Sequence, residues 1–241
     1  MKQLKLSTVF VFLLCTSLAC AQWGNGKKVK GNGDITTLKI SQGAYDGLKA
    51  TGPMDFKLVE GKEGEISITG DSNLLEYIET KVVNNNLVVK AKEGFNLKPT
   101  KTIVVTIPYE TLERVSLAGS GDIENSGTIK SKDFQVSLTG SGDINLKVTA
   151  ETINSSISGS GDIELKGSAT DLRTKVTGSG DFEGDNLRST NVTVEVTGSG
   201  GANVFCNGDL KVRVTGSGDV KYTGKPKNKD TKITGSGSVK N

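Results

Sequence analysis

Seven copies of Gly-Ser-Gly begin at Gly119, Gly140, Gly159, Gly178, Gly198, Gly216 and Gly235, at steps of 18 to 21 residues. A fixed period constrains the fold before any local propensity is read. Each repeat adopts the same unit and buries its apolar face on its neighbours. Two residues before each motif stand Leu117, Leu138, Ile157, Val176, Val196, Val214 and Ile233, all apolar. Four residues after the first glycine stand Ile123, Ile144, Ile163, Phe182, Ala202, Val220 and Val239, again apolar. Apolar positions two apart specify short strands with one buried face, and glycine permits the sharp change of direction between them. A period near 19 is too short for a helical-hairpin repeat of about 33 residues. Leucine-rich repeats have similar lengths, but their asparagine and leucine spacing is absent. The pattern predicts an all-β fold: a right-handed single-stranded parallel β-helix with about 19-residue coils, equivalent residues stacking about 4.8 Å apart. The serines between the glycines are then expected to form a hydroxyl ladder.

The N-terminal part carries fainter copies, at Gly31-Asn32-Gly33-Asp34-Ile35 and at Thr51-Gly52-Pro53-Met54-Asp55-Phe56. Between Gly52 and Gly119 lie separate strand signals: Glu65 to Thr69, a hairpin of Lys81-Val82-Val83 and Leu87-Val88-Val89 around an asparagine turn, and Lys101 to Ile107, ended by Pro108. Asp71 to Tyr77 reads as a helical turn capped by Asp71 or Ser72. Residues 22–112 are thus expected to form a β-rich portion capping a stack over residues 113–241, which keeps its end from offering an open edge.

Residues 1–21 read as a Sec-type signal peptide. Lys2 and Lys5 precede an apolar run from Leu6 to Leu14, and Ala19-Cys20-Ala21 supplies a small-x-small cleavage pattern. A competing reading makes Cys20 a lipidated N-terminus. The apolar run is shorter than the roughly 20 residues that span a bilayer, and no later stretch is a transmembrane span. Cleavage before Gln22 leaves Cys206 as the remaining cysteine, read as a small buried residue. The chain has no histidine, which removes Ser-His-Asp and Cys-His catalysis and imidazole-bound metals. Its net charge of +3 gives no electrostatic footprint for nucleic acid.

The aspartate following the motif recurs at Asp122, Asp143, Asp162, Asp181 and Asp219. Stacked carboxylates repel by about 0.9 kcal/mol per pair even at water's dielectric constant, so the column is a candidate calcium site. The alternative is that each carboxylate accepts backbone N–H groups of its own glycine corner. The pairs Asp162 with Glu164 and Asp181 with Glu183 are the candidates for polysaccharide cleavage, but they recur with the repeat instead of breaking it. Lys225, Lys227 and Lys229 read as a solvated basic loop.

One ordered series carries a family resemblance: Tyr45-Asp46-Gly47-Leu48-Lys49-Ala50-Thr51-Gly52, Phe56-Lys57-Leu58, Leu74-Leu75-Glu76-Tyr77-Ile78, Leu87-Val88-Val89, Ile103-Val104-Val105-Thr106-Ile107-Pro108 and Leu117-Ala118-Gly119-Ser120-Gly121-Asp122-Ile123. From about Tyr45 onward the chain resembles the head GIN domain of auto-transporter adhesins. The resemblance implies a β-helical fold and an exported or envelope location, and it brings no catalytic or binding residues. The expectation is an exported, non-enzymatic structural or adhesion module without a cofactor. Its partner would be a protein or an extended carbohydrate at the cell surface, or a second copy in a homo-oligomer. A polysaccharide-acting enzyme and a calcium-stabilised surface module are the alternatives.

Overall fold

The computed structural model describes residues 26–241; the signal-peptide assignment, with Cys15 and Cys20, lies outside the described residues. The chain is a parallel β-solenoid. Corner glycines align coil upon coil in one unbroken register, Gly52↔Gly119↔Gly140↔Gly159↔Gly178↔Gly198↔Gly216↔Gly235. Strands leading into the corners form an approach face and strands leaving them a departure face. On the departure face Phe56, Ile123, Ile144, Ile163, Phe182, Ala202 and Val220 stack in turn. Both apolar columns read from the sequence point inward, and from Leu117 to Val214 and Ile123 to Val220 they are buried.

The corner owes its shape to the first glycine, whose φ lies between 118° and 144° in all seven copies, a region costly for any residue with a Cβ. In five of the copies, Gly119, Gly140, Gly159, Gly178 and Gly216, its carbonyl accepts two N–H groups from the next coil. Gly140 takes Ser160 at 2.9 Å and Gly161 at 3.2 Å, and Gly159 takes Ser179 at 2.9 Å and Gly180 at 3.1 Å. The corner is thus a backbone ladder. The serine side chains are exposed, and among the described residues no hydrogen bond joins two of their hydroxyls. The expected hydroxyl ladder is corrected accordingly.

The N-terminal part continues the stack and then closes it. Gly47–Gly52 and Asp55–Glu60 pair in parallel with Arg114–Gly119 and Ile123–Ser126. A further parallel layer follows, Asn86–Ala91 on Gly47–Gly52 and Val104–Tyr109 on Asp55–Glu60, and only beyond it does the pairing turn antiparallel: Ile78–Val83 on Asn86–Ala91, and Glu65–Asp71 on both Val104–Tyr109 and Ile35–Ser41. The hairpin turns at Asn84 and Asn85, both left-handed at φ 49° and 58°, as an asparagine turn requires. Three details differ from expectation. The helical turn is a 3-10 turn, Leu75–Tyr77, without a side-chain cap. Pro108 lies inside the strand Val104–Tyr109, where it faces Val59 and has no strand on its other side, so its missing N–H costs no ladder bond. Gly31 to Asp34 form no corner; the Gly33 N–H donates to Asp71 Oδ1 at 2.7 Å.

One inward column runs Val115, Val136, Ser155, Thr174, Val194, Val212. The Ser155 and Thr174 hydroxyls are buried without a hydrogen-bond partner. A buried polar group left unpaired costs about 1–3 kcal/mol. Valine has nearly threonine's shape and already fills this column in the next coil, at Val194. Thr174→Val is expected to raise stability by about 1 kcal/mol, seen as a Tm about 2–4 °C higher in a thermal melt.

Candidate interaction surface

Alternation puts every second residue of each coil outside, so the repeat writes parallel columns of side chains along both faces. On the departure face the aspartates align as predicted, and Asp55 joins them at the N-terminal end. They bond to each other's coils: the N–H groups of Asp143, Asp162 and Asp181 donate to Oδ1 of Asp122, Asp143 and Asp162 at 3.0, 3.0 and 2.7 Å. Gly201 N–H donates to Asp181 at 2.6 Å, and Ser238 gives both N–H and hydroxyl to Asp219 at 2.8 and 2.7 Å. Each carboxylate therefore caps the next coil, where the sequence had suggested its own corner. Among the described residues no group of three or more Asp, Glu or Cys side chains is disposed to hold a metal ion. Glu164 is engaged by Asn145 at 2.7 Å and Lys166 at 2.8 Å, and Glu183 by Asn203 at 2.7 Å.

The ends of this column differ in charge balance. The Ser238 hydroxyl and N–H hold Asp219 below the usual carboxylate range. Burial, with Asp122 and Glu124 nearby, pushes Asp55 above it. A raised carboxylate favours the fold when protonated, and this contribution is lost as pH rises through the folded value. Asp55→Asn keeps an oxygen for the Asp122 N–H, which donates to Asp55 at 3.3 Å, and cannot ionise. The variant is expected to melt about 1 °C above the parent at pH 7, with the gain gone near pH 3, when Tm is followed against pH.

The approach face has the opposite sign. Five residues before the corner glycine stand Gly47, Arg114, Gln135, Asn154, Arg173, Thr193, Lys211 and Asp230. Three before it stand Lys49, Ser116, Ser137, Ser156, Lys175, Glu195, Arg213 and Lys232. Those columns hold seven cations and two acids. Between them, at the N-terminal end, runs a groove of about 290 Å³ lined by Lys49, Asn86, Arg114, Gln135, Ser137 and Asn154. The buried Asn86 Oδ1, lying over Gly47, has no hydrogen-bond partner. Sequence reasoning marked Lys225, Lys227 and Lys229 as a loop and missed these columns; Lys229 instead lies in the strand Asn228–Gly235, its ammonium over the Tyr222 ring at 5.5 Å. The signal was available at the outward positions three and five before each corner.

Neither outward column carries an aromatic side chain. Cys206 is buried, its Sγ within 3.3 Å of the Thr190 carbonyl oxygen, and burial pushes its thiol up, away from nucleophilic character.

A corner-stacked β-solenoid of this kind displays its outward side chains as parallel columns along both faces. The chain belongs to the family described as "Putative auto-transporter adhesin, head GIN domain", whose model matches residues 44–226. Solved structures share the fold. A "putative adhesin" from Bacteroides fragilis NCTC 9343 superposes with a TM-score of 0.81 at 24% identity, covering 88% of this chain and 99% of that one. A "putative lipid binding protein" from Parabacteroides distasonis ATCC 8503 gives 0.76 at 24% identity, with 89% and 99% covered. A "putative adhesin" from Parabacteroides merdae ATCC 43184 gives 0.70 at 24% identity, with 88% and 98% covered. No curated protein matches the chain. The family and two of these three neighbours are named as adhesins, and no helix among the described residues is long and apolar enough to cross a membrane.

Proposed function

We propose that this chain is a non-enzymatic adhesion module, exported and displayed at the bacterial cell envelope. The observation that carries the reading is the exterior itself, an aspartate column on one face and a net-cationic pair of columns on the other, held in register by the stacked coils. The signal-peptide pattern of residues 1–21 and membership of the adhesin family support it. Paired carboxylates engaged by Asn and Lys side chains argue against the polysaccharide-cleaving alternative. The test is expression of the full chain in a bacterial host, followed by intact-mass measurement and surface proteolysis. A mature chain beginning at Gln22, sensitive to protease on whole cells and adsorbing saturably to cell surfaces, is expected. An uncleaved chain retained in the cytoplasm, or turnover of a polysaccharide panel, would overturn the proposal.

A further inference from the structure

We propose that the approach face binds an extended anionic polysaccharide laid along the solenoid axis; this rests on the adhesion reading and specifies its ligand class. The cations fall in two groups along the columns, Lys49 and Arg114 at the N-terminal end and Arg173, Lys175, Lys211, Arg213 and Lys232 towards the C-terminal end, with the uncharged Gln135, Ser137, Asn154 and Ser156 between them. Among the described residues Lys49, Arg173, Lys175, Lys211 and Lys232 form no ion pair. Arg114 meets only the exposed Glu113 at 3.4 Å, and Arg213 pairs with Asp230 at the C-terminal end. The exposed Arg114–Glu113 pair contributes little and exchanges readily for another anion, whereas Arg213 is also held by the Val212 and Asp230 carbonyls.

The aspartate ladder lies just across the corner, so a polyanion is attracted to one face and repelled from the next. The boundary between them runs parallel to the axis, and a chain held on the positive side is aligned with it. Between the cations stand Ser116, Gln135, Ser137, Asn154 and Ser156, which donate and accept hydrogen bonds. Asn86 also lines the groove, but its unpaired Oδ1 is packed over Gly47 and out of a ligand's reach. A hydroxyl-rich ligand pairs with these outward amide and hydroxyl groups as both donor and acceptor; a phosphodiester backbone only accepts. The absence of aromatic side chains from both columns removes the stacking platform on which single-stranded nucleic acids are bound. Regular negative charge together with many hydroxyls describes a polyuronate or sulfated glycan.

The experiment uses the full mature chain and two charge-matched triple variants. One carries Arg173→Glu, Lys175→Glu and Lys211→Glu on the approach face. The other carries Lys130→Glu, Lys147→Glu and Lys221→Glu elsewhere. All six positions are exposed. A milder pair, Lys175→Gln with Lys211→Gln, covers the case in which charge reversal disturbs folding. Binding is measured to alginate, neutral dextran and single-stranded DNA. The parent is expected to bind alginate and not dextran. The control triple should stay within about twofold of it. The approach-face triple should bind at least about tenfold more weakly at about 0.05 M salt, with the neutral pair between and the difference shrinking as salt screens it. Equal loss in both triples, DNA bound as tightly as alginate, or no alginate binding overturns the inference. Cell adsorption separates the two proposals. If the approach-face triple still adsorbs like the parent, the ligand assignment fails and the adhesion reading stands. If the parent adsorbs to no cell surface, the adhesion reading itself fails.

Discussion

A Gly161→Ala chain is expected to melt about 6–12 °C below the parent, a loss of about 3 kcal/mol or more. Gly161 is the second glycine of its corner, buried, and its N–H donates to the Gly140 carbonyl. A Cβ there would sit 3.0 Å from the Gly142 carbonyl carbon and closer still to its oxygen. That carbonyl is main chain, clamped between coils, and cannot turn aside as a flexible side chain would. Relief requires the two coils to separate at the corner, which stretches the bonds from Ser160 and Gly161 to Gly140 at the same time. Gly43→Ala is the control. A Cβ at Gly43 meets nothing within 4 Å and its φ is not left-handed, so its Tm should stay within about 2 °C of the parent. Melts of the three chains by circular dichroism decide it. A Gly161→Ala Tm matching that of Gly43→Ala would show that the corner ladder is soft.

Asp71→Ala is expected to lower Tm by about 5–10 °C at pH 7, since each orphaned donor in a domain of this size shifts Tm by a few degrees. Asp71 is fully buried where the cap closes over the stack. Its Oδ1 accepts the Gly33 N–H and the Thr100 hydroxyl, both at 2.7 Å, and its Oδ2 accepts the Thr100 N–H at 2.8 Å. One carboxylate thereby ties together three segments distant in sequence. Burial alone would raise the carboxyl, but the Thr100 and Gly33 donors outweigh it and hold it below the usual range. A depressed carboxylate contributes stability above its unfolded value, near pH 4, and that stability is lost as pH falls through the folded value. The gap between parent and Asp71→Ala is therefore widest at neutral pH and narrows below about pH 3. A gap independent of pH would assign the effect to packing instead of charge.

These two positions also divide what could be read from the sequence from what could not. The corners were legible because one backbone solution recurs seven times, and each copy repeats the same apolar and glycine positions. Gly31 and Gly33 imitate that spelling for another reason: a Cβ on Gly31 would strike the Asp71 carboxyl, so glycine there makes room for a residue 40 positions later. No local pattern reports a partner at that distance. Pro108 was read as a terminator because a proline usually ends pairing. Its strand is flanked on one side only at that point, a fact of topology. The aspartate column was legible as a column, but its bonding was not. Whether a carboxylate caps its own corner or the next coil depends on the stacking geometry, which spacing along the chain leaves open. The cationic columns went unread because their identities vary between Arg, Lys, Ser, Gln and Asn, and only their shared sign on one face makes them a unit.

The strand Ile144–Gly159 pairs with Ile163–Gly178 from Ile144↔Ile163 to Gly159↔Gly178, at a constant offset of 19 residues. An in-frame duplication of one such stretch presents each flanking coil with the partner it already had, and a loss brings together two coils of matching register. The molecule therefore behaves as a ruler whose graduations can be added or removed, each changing its reach by about 4.8 Å. Length is then a property that descent can adjust separately from chemistry.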